Sequence, residues 1–169
     1  MKIAIFGGAF NPPHAGHLNL VEQVNNQLNF DKILIIPTGN APHKKTQTPF
    51  ETRFKWTKEA FEHLNYCEIS DIENTPQKSY TVDTLKKLRN IYHDAEFSLI
   101  IGSDMLEYFE KWHEYRELLQ LCTVVAAARD GGDYRPLAKR LGVTWLDIPV
   151  VEMSSTEMKN PDPRVGVSG

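Results

Sequence analysis

The stretch Lys2-Ile-Ala-Ile-Phe6, continued by Gly7-Gly-Ala-Phe-Asn-Pro-Pro-His-Ala-Gly-His17, decides the fold. An apolar run of strand character ends in two glycines, a proline-bearing turn follows, and two histidines flank a glycine where a helix begins. Gly7 and Gly8 accept backbone torsions closed to other residues and let a ligand come close to the chain. Pro12 and Pro13 delay the helix, because proline has no N–H and the residue before it avoids the α region. From Ala15 onward Leu18, Val21, Val24 and Leu28 recur at three- and four-residue steps, one face of a helix. His14 and His17 therefore span its first turn, where unpaired N–H groups and the positive end of the helix dipole favour an anion. Imidazole adds directional donors that titrate near neutral pH. Gly16 leaves the space between the two rings open to a ligand, and a polyphosphate needs such a geometry.

Outward from this stretch, strand and helix patterns alternate. Strands are predicted over 2–6, 32–37, 66–69, 96–101, 123–127 and 144–146, and helices over 15–28, 50–64, 80–92, 103–121 (broken) and 134–141. Ile33-Leu34-Ile35-Ile36 and Phe97-Ser98-Leu99-Ile100-Ile101 are nearly continuous apolar runs, as in strands covered on both faces. The alternation implies right-handed crossovers and an α/β, Rossmann-like, doubly wound parallel sheet in a three-layer α/β/α arrangement. In such sheets ligands bind beyond the carboxyl ends of the strands, where strand order reverses.

The chain of 169 residues is long enough for one domain with a solid core, expected over 1–160. The tail 161–169 is rich in Pro and Gly and is expected to be mobile. A net charge of −3 argues against a surface that coats nucleic acid. The two cysteines, Cys67 and Cys122, lack motif spacing, which suggests reduced thiols in a cytoplasmic setting. No signal peptide precedes Met1 and no apolar run reaches bilayer length, so neither secretion nor a membrane partner is expected.

The histidine pair has two other readings, a pair of ordinary surface histidines, which would leave Gly7-Gly8 and Pro12-Pro13 unexplained, and a zinc site. Zinc needs three or four ligands, and both cysteines are isolated. The glycines match neither the Walker A nor the dinucleotide pattern. His14-Ala15-Gly16-His17 does resemble the His-x-Gly-His signature of the nucleotidyltransferase superfamily, which includes the class I aminoacyl-tRNA synthetases. The preceding Gly-Gly-Ala-Phe-Asn-Pro-Pro resembles the Gly-Gly-(Thr/Ser)-Phe-Asp-Pro stretch of small adenylyltransferases, with Ala9 and Asn11 as mild departures.

Four further segments carry the resemblance to the nicotinate mononucleotide adenylyltransferases. Pro37-Thr-Gly-Asn-Ala-Pro-His-Lys-Lys45 reads either as a solvated turn with a basic tip or as a second anion clamp. Its Gly-Asn-x-Pro-His-Lys resembles the acceptor loop of that family, implying that Asn40, His43 and Lys44 bind substrate. Arg53 opens the next helix and can anchor it to the loop. In Ser79-Tyr80-Thr81-Val82-Asp83-Thr84-Leu85, Ser79 or Thr81 is a candidate N-cap and Asp83 suits the first turn. The resemblance instead implies that Thr81 meets the nicotinate carboxylate. In Ile101-Gly-Ser-Asp-Met105, Gly102 permits close approach, and Asp104 is either a helix cap or a partner for a ribose hydroxyl. Trp112, in a polar run, is expected to be partly exposed, and the resemblance implies that it stacks on the pyridine ring. Met153-Ser-Ser-Thr-Glu-Met-Lys159 resembles the Ile-Ser-Ser-Thr-x-Ile-Arg motif that grips ATP phosphates; without that likeness, Ser154, Ser155 and Thr156 would read as a helix cap. Lys159 keeps the charge of the family arginine and loses its bidentate fork.

The resemblance covers positions 1–159, and family members typically continue into a further helix with an aromatic-rich stretch that 161–169 lacks. It implies adenylyl transfer from ATP to nicotinate mononucleotide, giving deamido-NAD and pyrophosphate. His14 and His17 are implied to be catalytic. ATP is implied to be bound by Gly7, Gly8, Ala9, Phe10, His14, His17, Gly102, Asp104, Ser154, Ser155, Thr156 and Lys159. Mg2+ is expected to arrive with ATP, on phosphate oxygens and water, with no protein metal ligand. A homo-oligomer is left open. Other readings are the same chemistry on nicotinamide mononucleotide or phosphopantetheine, a non-catalytic nucleotide-binding domain, and an RNA-binding synthetase fragment, which the lack of a basic surface disfavours.

Overall fold

A computed structural model describes residues 1–39, 48–76, 80–128 and 134–148. Six parallel strands form one sheet: β1 (Lys2–Gly8), β2 (Lys32–Pro37), β3 (Cys67–Ile69), β4 (Glu96–Gly102), β5 (Thr123–Ala128) and β6 (Thr144–Asp147), in the order β3-β2-β1-β4-β5-β6. The helices are α1 (Ala15–Leu28), α2 (Phe50–Phe61), α3 (Thr81–Ile91), α4 (Ser103–Leu106), α5 (Tyr115–Leu121) and α6 (Arg135–Leu141), with a 3-10 turn at Phe109–Lys111. Among the described residues no helix is long and apolar enough to cross a membrane.

Alternation along the strands builds two cores. Ile3 and Ile5 of β1 face one side, with Leu99 and Ile101 of β4, and are covered by Leu85 of α3, Phe109, Leu118 of α5 and Leu141 of α6. Ala4 and Phe6 face the other side, with Ile33 and Ile35, under Val21 and Val24 of α1 and Phe61 of α2. Each large apolar side chain buried here contributes about 1.5–3 kcal/mol of transfer free energy. The chain moves toward β3 with its helices on one face, then returns through β4 to β6 with its helices on the other. Right-handed crossovers require this change of face when direction reverses. The reversal falls between β1 and β4.

The ladder differs on the two sides of that reversal. β1 pairs with β2 as far as Gly8, opposite Pro37, and β4 pairs with β5 as far as Gly102, opposite Ala127. β1 and β4 pair with each other only as far as Ile5 and Leu99. Beyond that pair the two central strands no longer pair, at the point where sheets of this kind hold a ligand cleft beyond the carboxyl ends of their strands.

The predicted elements are all present, with shifted ends. β1 runs on through both glycines, because a parallel partner accepts Gly7 and Gly8 as it accepts any residue. α2 stops at Phe61 and the chain descends through a turn closed by Leu64 N–H to Phe61 O. The predicted 103–121 helix breaks at Trp112, which is extended, and at Glu114, which is left-handed with φ 54°. The break lets Phe109 reach the core with no exposed surface.

Candidate active site

The carboxyl end of β1 leads into a turn held from beneath. Phe10 has φ 48° and is 2% exposed. Its ring packs edge-on against Phe6, Phe61 and His17, with centroids 5.7, 6.0 and 5.0 Å away. A side chain at Gly8 would come within 3.2 Å of that ring, so Gly8 is needed for the turn to lie flat on its own phenylalanine. Phe10 can therefore meet a ligand only through its backbone. Behind the turn lies Arg53 of α2, 2% exposed. Its Nη1 donates to Ala9 O at 3.0 Å and its Nε to Thr48 O at 2.8 Å. Arg53 thus anchors α2 to the turn after β1 and to Thr48; most of the 37–45 loop to which it was expected to tie the helix lies outside the described residues.

The turn delivers His14 to the N-cap of α1 in an extended conformation. Two reciprocal bonds close the first turn: Gly16 N–H donates to His14 Nδ1 at 3.1 Å, and His14 N–H donates to His17 Nδ1 at 3.0 Å. The two rings stack, with centroids 3.7 Å apart and planes 23° from parallel. Because Nδ1 of each ring accepts a backbone hydrogen bond, the proton of each neutral ring is assigned to Nε2. Burial, and then the neighbouring His14, push the His17 imidazole down to about 3. His17 is thus neutral near pH 7, a donor without a charge. The opening expected between the two rings is not there. The space at Gly16 is filled by the His14 ring itself, since a Cβ there would lie 2.9 Å from its Cε1. Glycine at that position makes room for the cap, not for a ligand between the rings.

Across the cleft, β4 ends at Gly102, which is the N-cap of α4. With Gly102 as the N-cap, Asp104 is the second residue of α4; its carboxylate lies close to Gly102, where a Cβ would meet Oδ1 at 2.8 Å. The capping role considered for Asp104 is therefore not the one it plays.

At α3 the N-cap is Tyr80, not Ser79 or Thr81. The Tyr80 ring stacks on His113, with centroids 4.1 Å apart, a tertiary contact made at the residue where the helix starts. Thr81 becomes the first helical residue, with Asp83 in the first turn as expected. Ser79 lies outside the described residues. The same stack puts the start of α3 beside Trp112, which is half-buried and packs on Phe109 at 5.3 Å. Asn40, His43, Lys44, Ser154, Ser155, Thr156 and Lys159 also lie outside the described residues, as does 161–169.

Glu73 was not singled out in the sequence, where it sits in a polar run without periodicity. Its Oε2 accepts from Thr84 Oγ1 at 2.9 Å, and the Gly39 N–H donates to the same carboxylate. Burial raises its pKa, against the opposing effects of Thr84, Gly39 and Lys87. For the zinc reading, no group of three His, Cys, Asp or Glu gathers among the described residues.

Comparison with known proteins identifies the family of the chain. A family profile described as cytidylyltransferase-like matches residues 5–160. A protein of Thermotoga sp. (strain RQ2), described as "Probable nicotinate-nucleotide adenylyltransferase", is 41% identical over 165 residues, covering 94% of this chain and 84% of its own. One from Fusobacterium nucleatum with the same description is 41% identical over 167 residues, covering 95% of this chain and 86% of its own. The solved nicotinic acid mononucleotide adenylyltransferase of Plasmodium falciparum, complexed with NaAD, shares the fold with a TM-score of 0.78 at 18% identity, over 94% of this chain and 80% of that one. The chain belongs to the cytidylyltransferase-like family and, within it, to the nicotinate-nucleotide adenylyltransferases.

Proposed function

We propose that the protein transfers the adenylyl group of ATP to nicotinate mononucleotide, giving deamido-NAD and pyrophosphate. The observation that carries this reading is the pair of tautomer-fixed imidazoles at the start of α1, placed where β1 and β4 part. A phosphate oxygen of the mononucleotide attacks the α-phosphorus of ATP. The new P–O bond forms as the bond to the β-phosphate oxygen breaks, and pyrophosphate leaves in line. No protein nucleophile is required. Catalysis then rests on aligning two anions and on donors aimed at the charge that develops. Alignment can supply ~7–11 kcal/mol, and one well-placed donor on the order of 3 kcal/mol.

In this reading His14 and His17 donate through Nε2–H to the phosphates that react. The neutral state of His17 lets it enter the cleft without titrating against solvent. Gly7, Gly8, Ala9 and Phe10 present backbone to the nucleotide, and Gly102 and Asp104 meet it from β4. Thr81, at the start of α3, receives the nicotinate carboxylate, since a helix N-terminus favours an anion over a neutral amide. Trp112 lies against the pyridine ring. Asn40, His43 and Lys44 orient the acceptor phosphate; Ser154, Ser155, Thr156 and Lys159 hold the outer phosphates of ATP. These last two groups rest on the family resemblance alone. Mg2+ belongs to the triphosphate as part of the substrate, screening its charge. The donors assembled around the turn are N–H groups, suited to phosphate oxygens rather than to the cation.

Pyrophosphate release measured in parallel with nicotinate mononucleotide, nicotinamide mononucleotide and phosphopantetheine tests the reading. The first should be preferred by kcat/KM. Preference for either of the others moves the acceptor assignment. Nucleotide binding without pyrophosphate release with any of them removes the enzymatic reading.

A further inference from the structure

An ionisable side chain stands at each end of the segment that follows β2, Arg53 buried and Glu73 half-buried, and neither belongs to the reacting groups. At one end Gly39 lies so close to the 70–76 turn that a Cβ would fall 1.7 Å from Glu73 O, and its N–H donates to the Glu73 carboxylate. Through Thr84 the same carboxylate is fixed to the first turns of α3. At the other end Thr48 O accepts from Arg53, whose second bond goes to Ala9 O in the turn after β1. Among the described residues the guanidinium donates to two carbonyl oxygens, those of Ala9 and Thr48. Burying an ion in this way costs stability compared with a well-packed apolar side chain. What the charge provides instead is directional bonding: a planar fork joins two segments at once, and a carboxylate accepts from two sides.

We propose that Arg53 and Glu73 are positioning residues with different reach: Arg53 ties the turn after β1 to the end of the β2 segment at Thr48, and Glu73 ties its start at Gly39 to α3. The inference rests on the functional reading above, in which the turn after β1 serves ATP while the β2 segment and α3 serve the acceptor. It follows that Glu73 governs use of the acceptor alone, and Arg53 governs use of both substrates. A scaffold residue of general importance would not divide the two substrates in this way.

The test compares Glu73→Gln, Thr84→Val and Arg53→Lys by steady-state kinetics and by hydrogen–deuterium exchange in the full chain. A displacement of about 1 Å at a reacting group can cost on the order of 100-fold. Glu73→Gln should raise KM for nicotinate mononucleotide about tenfold or more, leaving KM for ATP within about twofold. Thr84→Val, which removes only the hydroxyl, should show the same split to a lesser degree, and it decides the matter if Glu73→Gln does not fold. Arg53→Lys keeps the charge without the fork and should raise both KM values. Exchange should quicken at Gly39 in the Glu73 and Thr84 variants with the turn after β1 unchanged, and in both places in Arg53→Lys. Equal effects on both substrates in the Glu73 and Thr84 variants, or no effect of Arg53→Lys on ATP, overturn the proposal. If the wild-type chain does not turn over nicotinate mononucleotide, the functional reading has failed, and the exchange pattern alone then confirms or overturns the two ties.

Discussion

α1 and α3 both begin at the carboxyl edge of the sheet, yet they begin in opposite ways. α1 is closed by its own side chains: His14 accepts from Gly16, His17 accepts from His14, and the rings stack. α3 starts at a tyrosine that makes no side-chain capping bond and is held by stacking on His113. In α1 the bonds that an anion might have taken from the backbone are partly used by imidazole Nδ1, and the donors move outward to Nε2. In α3 the side chain of the N-cap residue takes none of the first-turn N–H groups. The first arrangement suits charge that appears during a reaction, met by donors with a fixed direction. The second suits a permanent carboxylate, met by the helix dipole and the main chain.

The largest test of this contrast is His17→Ala. It should depress turnover about 100-fold or more, as loss of one oxyanion donor does, read by pyrophosphate release. Near-normal turnover would remove the role given to α1. Next in size is a pH effect. His17 titrates at about 3 when folded against an ordinary 6.5, so the unfolded chain binds more protons over that window. The contribution is fully present above pH 6.5, and stability then falls by about 1.4 kcal/mol per pH unit on acidification toward the folded value. Denaturant unfolding at pH 7 and pH 5 should show this slope in the wild type and lose most of it in His17→Gln; identical slopes would contradict the burial assigned to the ring.

Gly16→Ala sharpens the comparison further. Alanine favours a helix over glycine by about 1 kcal/mol, but its methyl group would displace the His14 ring. Activity should drop about tenfold, because misplacement of a donor acts on rate, while the thermal midpoint changes little, since the lost cap offsets the gain in helix propensity. A fall in the midpoint with activity intact would show that the cap serves only stability. The smallest effect is expected at α3. Thr81→Val removes one hydroxyl and should raise KM for nicotinate mononucleotide about three- to tenfold, the scale of a single hydrogen bond. KM for ATP should stay constant, and a change in ATP use would break the division between the two helices.

The sheet was legible in the sequence because its strands are continuous apolar runs between polar turns. Ile33–Ile36 and the run through Ile101 had few other ways to be buried. The face each helix covers followed from chirality once the order of elements was known. At the site, the histidine pair was legible because its spacing puts both rings on one turn. The role of Gly16 is not legible in the sequence, since the His14 ring fills the gap only once the turn has folded. The start of α3 was misread for a similar reason. Ser79 and Thr81 have the better capping side chains, but the Tyr80–His113 stack is a tertiary contact between residues far apart in the chain. Glu73 left no local signal at all, because its meaning lies in what Gly39 and Thr84 bring to it.

The fork in the sheet beyond Ile5 and Leu99 has a consequence for how variants behave. The facing edges of β1 and β4 past that point carry main-chain groups that no ladder uses, and amino-acid replacement cannot delete them. A floor of nucleotide affinity should therefore survive any single side-chain change at the rim. An inactive variant of this protein is expected to remain a nucleotide binder, silent in turnover yet still able to sequester ATP.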